Sequence, residues 1–183
     1  MTTLGHLIHQ DLKRPWSFAD ITRQLQGRVK NLKMVFVDQE HQKNWSLDSV
    51  FGKTHNAAAI LLTVRVPGTR KQQRHWVCLL KLKGNRIQFF DSLALSYAEL
   101  NSMLWDDGKF TEFLKKIRAS PSTKRLQEDI THVRNCGAWV CVRAAFGISK
   151  NLTNHAFYHF ILSEKNTKPD ITCMKLVAIG MLT

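Results

Sequence analysis

Cysteine is scarce in this chain, and carboxylates fall well short of the basic residues they would have to balance. The four cysteines, Cys78, Cys136, Cys141 and Cys173, include no C-x-x-C pair and none with histidines at zinc-site spacing. A disulfide scaffold and a structural metal site are therefore not expected, and the thiols should be reduced. Long apolar runs are also lacking: the longest, "AAAILLTV" at 57–64, is far too short to span a bilayer. The opening "MTTLGHLIHQDLKR" lacks the basic-then-apolar order of a signal peptide, so the expectation is a soluble, intracellular protein with no membrane partner. Repeats, linkers and low-complexity segments are missing too. With 183 residues and 44% apolar side chains, residues 1–183 suit one domain with a substantial core, expected to be a monomer.

The shortage of acid leaves 27 Lys and Arg against 14 Asp and Glu, a formal charge of +13 and a pI near 9.9. Such a field favours polyanions, above all nucleic acid. Basic residues are densest in "TRKQQR" (69–74) and "KKIRASPSTKR" (115–125). In the second run Lys115, Lys116, Arg118, Lys124 and Arg125 are candidate phosphate contacts, although a solvated face is an equal reading of either cluster.

Periodicity supplies the elements. Ser17 and Asp20 have capping-box spacing ahead of Phe18, Ile21, Leu25 and Val29, predicting an amphipathic helix over 17–30. Apolar, β-branched runs at 32–38 and 57–66 predict strands. "HWVCLLKLK" and "RIQFFD" flank Gly84-Asn85 as a hairpin. Helices are expected near 97–105 and 110–119, then in "NHAFYHFILSE" (154–164) and in 169–181, the last opened by Pro169. This order predicts an α+β domain with a small sheet packed on a buried helix.

That helix is "RNCGAWVCVRAAFG", residues 134–147, where Arg143 is the only charged side chain after Cys136. A helix apolar on nearly every face is normally buried. A cysteine in its first turn sits where backbone N–H groups and the dipole favour a thiolate, although a buried, inert thiol is the commoner reading of any one cysteine. A thiolate nucleophile needs a base and a group to orient that base. Of eight histidines, His6, His9, His41 and His55 lie in polar or terminal segments, His155 and His159 share a helix face, and His132 is only four residues before Cys136. His75 differs: it is read as the start of a strand whose hairpin partner ends in Asp91. Side chains alternate along a strand. A two-residue turn at Gly84-Asn85 would point Asp91 away from His75, whereas a three-residue turn, Lys83-Gly84-Asn85, would place both on one face.

"HWVCLLKLKGNRIQFFDSL" followed by "NCGAWVCV", 61 residues from His75 to Cys136, resembles the cysteine peptidase clan of the adenovirus maturation protease and the ubiquitin-like-protein proteases. The resemblance covers about residues 33–150. It implies a papain-like α+β fold with a central mixed β-sheet and the nucleophile at the N-terminus of a buried helix. It also implies a His75, Asp91, Cys136 triad acting as a thiol endopeptidase. Trp76 and Gly137 are candidate substrate contacts: packing of the site, with Trp139, is the commoner reading of Trp76, and Gly137 would allow close approach of the substrate backbone. The family's oxyanion glutamine lies shortly before the cysteine. Here Gln127, nine residues ahead, is the candidate, with His132, Asn135 or backbone alone as alternatives. The compact chain resembles the adenovirus-type branch, which implies trimming of capsid or core precursors within a virion or host nucleus or cytoplasm, beside packaged DNA. Removal of a ubiquitin-like modifier is the second expectation. An inactive binding domain and an acyl transferase of related fold are two further classes. The chemistry requires no cofactor and leaves room for DNA or an activating peptide as an accessory.

Overall fold

The hairpin decides how the sheet is assembled. In the computed structural model, which describes residues 12, 14–25, 27–66, 68–128, 134–164 and 167–178, strand β3 (Gln72–Leu82) pairs antiparallel with β4 (Arg86–Phe90). Leu82 faces Arg86, so Lys83, Gly84 and Asn85 form the three-residue turn. Gly84 (φ 75°) and Asn85 (φ 57°) take the left-handed backbone that this turn demands and that Gly and Asn accept most readily. The last ladder pair is Cys78 with Phe90. One residue further, the same register sets Asp91 opposite Val77, on the face of His75.

Strand β3 begins at Gln72, three residues before the expected start, because Gln72–Arg74 continue the antiparallel ladder with β2 (Ala57–Arg65). His75 is therefore an interior strand residue facing Leu62, not the first of its strand. On the other side of β2, strand β1 (Met34–Asp38) runs parallel. The result is a four-stranded mixed open sheet in the order β1, β2, β3, β4.

Among the described residues seven helices cover the two faces. Helix α1 (Phe18–Leu25), α5 (Cys136–Lys150), α6 (Asn154–Leu162) and α7 (Pro169–Ala178) bury Ile21, Trp139, Phe157 and Met174 against Trp76, Cys78 and Leu80 on one face. Helices α2 (Leu47–Phe51), α3 (Tyr97–Met103) and α4 (Lys109–Lys116) bury Phe51, Leu100 and Phe110 against Val77 and Leu79 on the other. Alternation along β3 feeds both cores. The molecule is thus α+β, with α5 as its buried helix: eleven of its fifteen residues are inaccessible, Arg143 among them. That guanidinium lies beside the Phe90 and Phe157 rings and donates to the Asn154 Oδ1 and the Leu152 carbonyl, each at 3.0 Å. Burial lowers its pKa to about 10.

Two boundaries depart from the periodic pattern. Helix α1 stops at Leu25, not at 30, because Gly27 turns left-handed (φ 71°) and breaks the ladder. Helix α4 ends at Lys116, where Arg118 adopts φ 51°. Helix α2 was not expected. Its signal is the reciprocal cap between Ser46 and Ser49, too short a segment to show a helical period. At the end of α7, residues 179–181 lie outside the described residues. No helix among the described residues is long and apolar enough to cross a membrane.

Candidate active site

Three elements converge at one end of the sheet. Strand β3 presents His75, the turn after β4 presents Asp91, and the first turn of α5 presents Cys136. His75 Nε2 lies 2.8 Å from Asp91 Oδ1, with both residues buried. The Leu93 N–H also donates to Asp91 Oδ1 (2.9 Å), and the Leu95 N–H to Oδ2 (3.3 Å), so the turn wraps its own carboxylate. The Asp91 N–H donates to Ser122 Oγ at 2.8 Å. A buried ion pair needs such extra partners to offset desolvation.

Cys136 is held from the same strand: the Trp76 N–H donates to its Sγ at 3.4 Å. With Nε2 engaged by Asp91, the imidazole has Nδ1 left for the thiol. Burial by itself would lower the His75 pKa. The charge and hydrogen bond of Asp91, joined by those of Cys136, overcome that and raise it to about 10. Imidazolium is the favoured form at neutral pH. The other thiols are in different surroundings: burial pushes Cys78 up to about 12 and carries Cys141 and Cys173 well above the usual thiol value.

An open groove of about 750 Å³ runs over the site. His75, Trp76, Cys136, Gln127, Trp16 and Arg134 are among its lining. Gln127 is buried, and its Oε1 accepts from Ser92 Oγ at 2.8 Å while its backbone N–H donates to the Ser92 carbonyl at 3.0 Å. Ser92 directly follows Asp91, so the carboxylate turn also seats the candidate oxyanion donor. Asn135 is placed differently. Its Nδ2 donates to Asp170 Oδ1 at 2.9 Å, which commits that amide away from an oxyanion. His132 lies outside the described residues.

Gly137 is expected beside the substrate, but the close approach it permits is made within the chain. A Cβ there would fall 2.4 Å from the Trp16 Cβ and 3.3 Å from the Trp76 Cδ1. The segment carrying Trp16 crosses the site by backbone: the Arg134 N–H donates to the Leu12 carbonyl (2.8 Å), and Trp76 Nε1 to the Trp16 carbonyl (2.9 Å). Lys115, Lys116, Arg118, Lys124 and Arg125 are all exposed and none lines the groove. Arg125 is partly occupied, donating from Nε to the Gln127 carbonyl (3.0 Å) and from Nη2 to that of Glu128 (2.5 Å).

Sequence reasoning passed over Trp16, Ser92 and Asp170. Ser92 was visible only as the neighbour of Asp91, and Asp170 only as the residue after a helix-opening proline. Asp170 is buried yet accepts three hydrogen bonds, and burial raises its carboxyl above the usual range against the pull of those donors. No model of a known protein family matches the chain, and a search of curated proteins gives no match.

Proposed function

We propose that the chain is a cysteine endopeptidase in the arrangement of the adenovirus-type maturation proteases, with Cys136 as nucleophile, His75 as acid and base, and Asp91 as the group that orients the imidazole. The observation that carries this reading is the 2.8 Å contact between His75 Nε2 and Asp91 Oδ1, beside a thiol in the first turn of the buried helix. The Cys136 sulfur attacks the scissile carbonyl carbon and the π pair moves to oxygen. His75 gives its proton to the amide nitrogen as the C–N bond breaks. Water, deprotonated by His75, then attacks the thioester carbonyl; as the C=O re-forms, the C–S bond breaks, the carboxylic acid product leaves and the sulfur takes back the proton from His75. The Cys136 backbone N–H and the Gln127 amide are the donors proposed for the developing oxyanion. The imidazolium favoured at neutral pH supports the role of His75 as the proton donor to the leaving nitrogen.

The substrates proposed are capsid or core precursors trimmed in an assembling particle, where a basic protein works beside DNA. A ubiquitin-like modifier is the second reading. Lys71 and Arg134 along the groove support it, because they would complement an acidic partner, whereas Arg74 there is already paired with Asp38 and Glu40. Mass-spectrometric profiling of a proteome-derived peptide library separates these. Internal cleavage that disappears in Cys136→Ala supports the endopeptidase. Cleavage confined to the C-terminus of modifier–coumarin conjugates favours the second reading, and identical products from wild type and Cys136→Ala contradict both.

A further inference from the structure

We propose that Asp170 is a positioning residue for the oxyanion hole, a buried carboxylate that fixes the distance between the Gln127 loop and the first turn of the Cys136 helix. The inference rests on the reading of Cys136 as an acylating nucleophile. Asp170 is the second residue of α7, on neither of the elements that carry Gln127 and Cys136, yet it binds both. Its Oδ1 accepts from Asn135 Nδ2 at 2.9 Å and from Trp139 Nε1 at 2.8 Å. Its Oδ2 accepts the Glu128 N–H at 2.8 Å. Asn135 immediately precedes the nucleophile, Trp139 lies one turn beyond it, and Glu128 immediately follows Gln127. One side chain therefore holds the two proposed oxyanion donors in register.

The chemistry of the clamp requires a carboxylate. Three donors converge on two oxygens, and an ionised carboxyl offers acceptors at both ends and no donor. An asparagine could satisfy one end only, turning its NH₂ toward an N–H at the other. Helix α5 gives up local stability for this geometry. Asn135 makes no side-chain cap of its own helix, although asparagine is among the preferred caps, and its Oδ1 is buried without a hydrogen-bond partner among the described residues. From the opposite side Ser92 and Arg125 hold Gln127 and Glu128, so the loop can answer to Asp170 only in one position.

A pair of reactions at Cys136 separates positioning from general support of the fold. Iodoacetamide alkylation forms a C–S bond and expels iodide, and no charge develops on a carbonyl oxygen. The tripeptide aldehyde acetyl-Leu-Leu-norleucinal instead takes the sulfur at its carbonyl carbon, the π pair moving to an oxygen that occupies the hole and accepts the His75 proton. In the full chain, Asp170→Asn should weaken aldehyde inhibition roughly 10- to 100-fold, a fraction of the loss typical when an oxyanion donor is removed outright. Alkylation of Cys136 should stay within about 2-fold of wild type, since that reaction does not use the hole. In a Gln127→Ala background the same substitution should add less than about 3-fold, because residues acting as a unit are not additive. Should Asp170→Asn lose its cooperative melt, Trp139→Phe carries the same comparison with the carboxylate intact. Parallel losses in both reactions, or losses that multiply in the Gln127→Ala background, overturn the positioning role and leave the nucleophile reading standing. Wild-type Cys136 reacting with iodoacetamide no faster than Cys78, Cys141 and Cys173 overturns that reading and this proposal with it.

Discussion

His75 and Asp91 depend on each other more than either depends on Cys136. His75 gains its proton affinity from a buried carboxylate, so its raised pKa is also a statement about stability. The contribution is fully present below the unfolded imidazole value near 6.5 and is lost as pH rises through about 10. Wild-type protein should therefore lose stability across that window in urea titrations, and the loss should be smaller in His75→Ala. That variant leaves the Asp91 charge without its main partner and should be destabilised by about 3 kcal/mol at pH 7, at the low end for a broken buried pair because the Leu93 and Leu95 N–H groups still hold the carboxylate. The alkaline limb of peptide cleavage should follow the same proton, toward pH 10. A limb near 6.5 would contradict the pairing. Asp91→Asn should impair cleavage less than His75→Ala, since orientation is lost and the base survives. His75, Asp91 and Cys136 were legible because each carries a local signature: a strand histidine, a strand-end carboxylate and a cysteine heading an apolar run. Asp170 carried none, because its donors, at 128, 135 and 139, come together only when α7 docks.

At the scale of elements, the close fit of α5 beneath the segment around Trp16 is the feature most exposed to a small change. Gly137→Ala would add a Cβ 2.4 Å from that of Trp16, a contact that only movement of the segment can relieve. Overpacking of this kind costs roughly 1–3 kcal/mol. The substitution should lower the midpoint of thermal unfolding and change tryptophan fluorescence; an unaltered melt and spectrum would mean that the segment does not pack there. Parity along the hairpin had reduced its geometry to two turns, and Gly84-Asn85 could serve either. The deciding factor is the β3 and β4 register, fixed by which apolar side chains enter each core. Helix α1 ran short of its apolar pattern for a comparable reason, since Val29 is buried beyond a glycine turn, where the spacing alone continued the helix.

For the whole molecule the charge of +13 is the property that no element explains. Lys115, Lys116, Arg118 and Lys124 are exposed on α4 and the loops after it, away from the groove, so DNA could be held without blocking the site. Affinity for duplex DNA, measured by fluorescence anisotropy from low to physiological salt, should fall with a log–log slope of about −0.9 per phosphate contact, and Lys115→Ala with Lys116→Ala should flatten it. Salt-independent binding, or none at low ionic strength, would reject a role for this face.

The claim on which the rest depends is that His75 activates Cys136. Site-resolved mass spectrometry of iodoacetamide labelling at pH 7 tests it most directly, because it needs no knowledge of the substrate. All four cysteines are buried, but only Cys136 lines the groove; it should be modified first, and its rate should drop by at least about tenfold in His75→Ala, as expected when a partner that stabilises the thiolate is lost. Equal modification of all four cysteines, or a Cys136 rate unchanged without His75, would contradict the account.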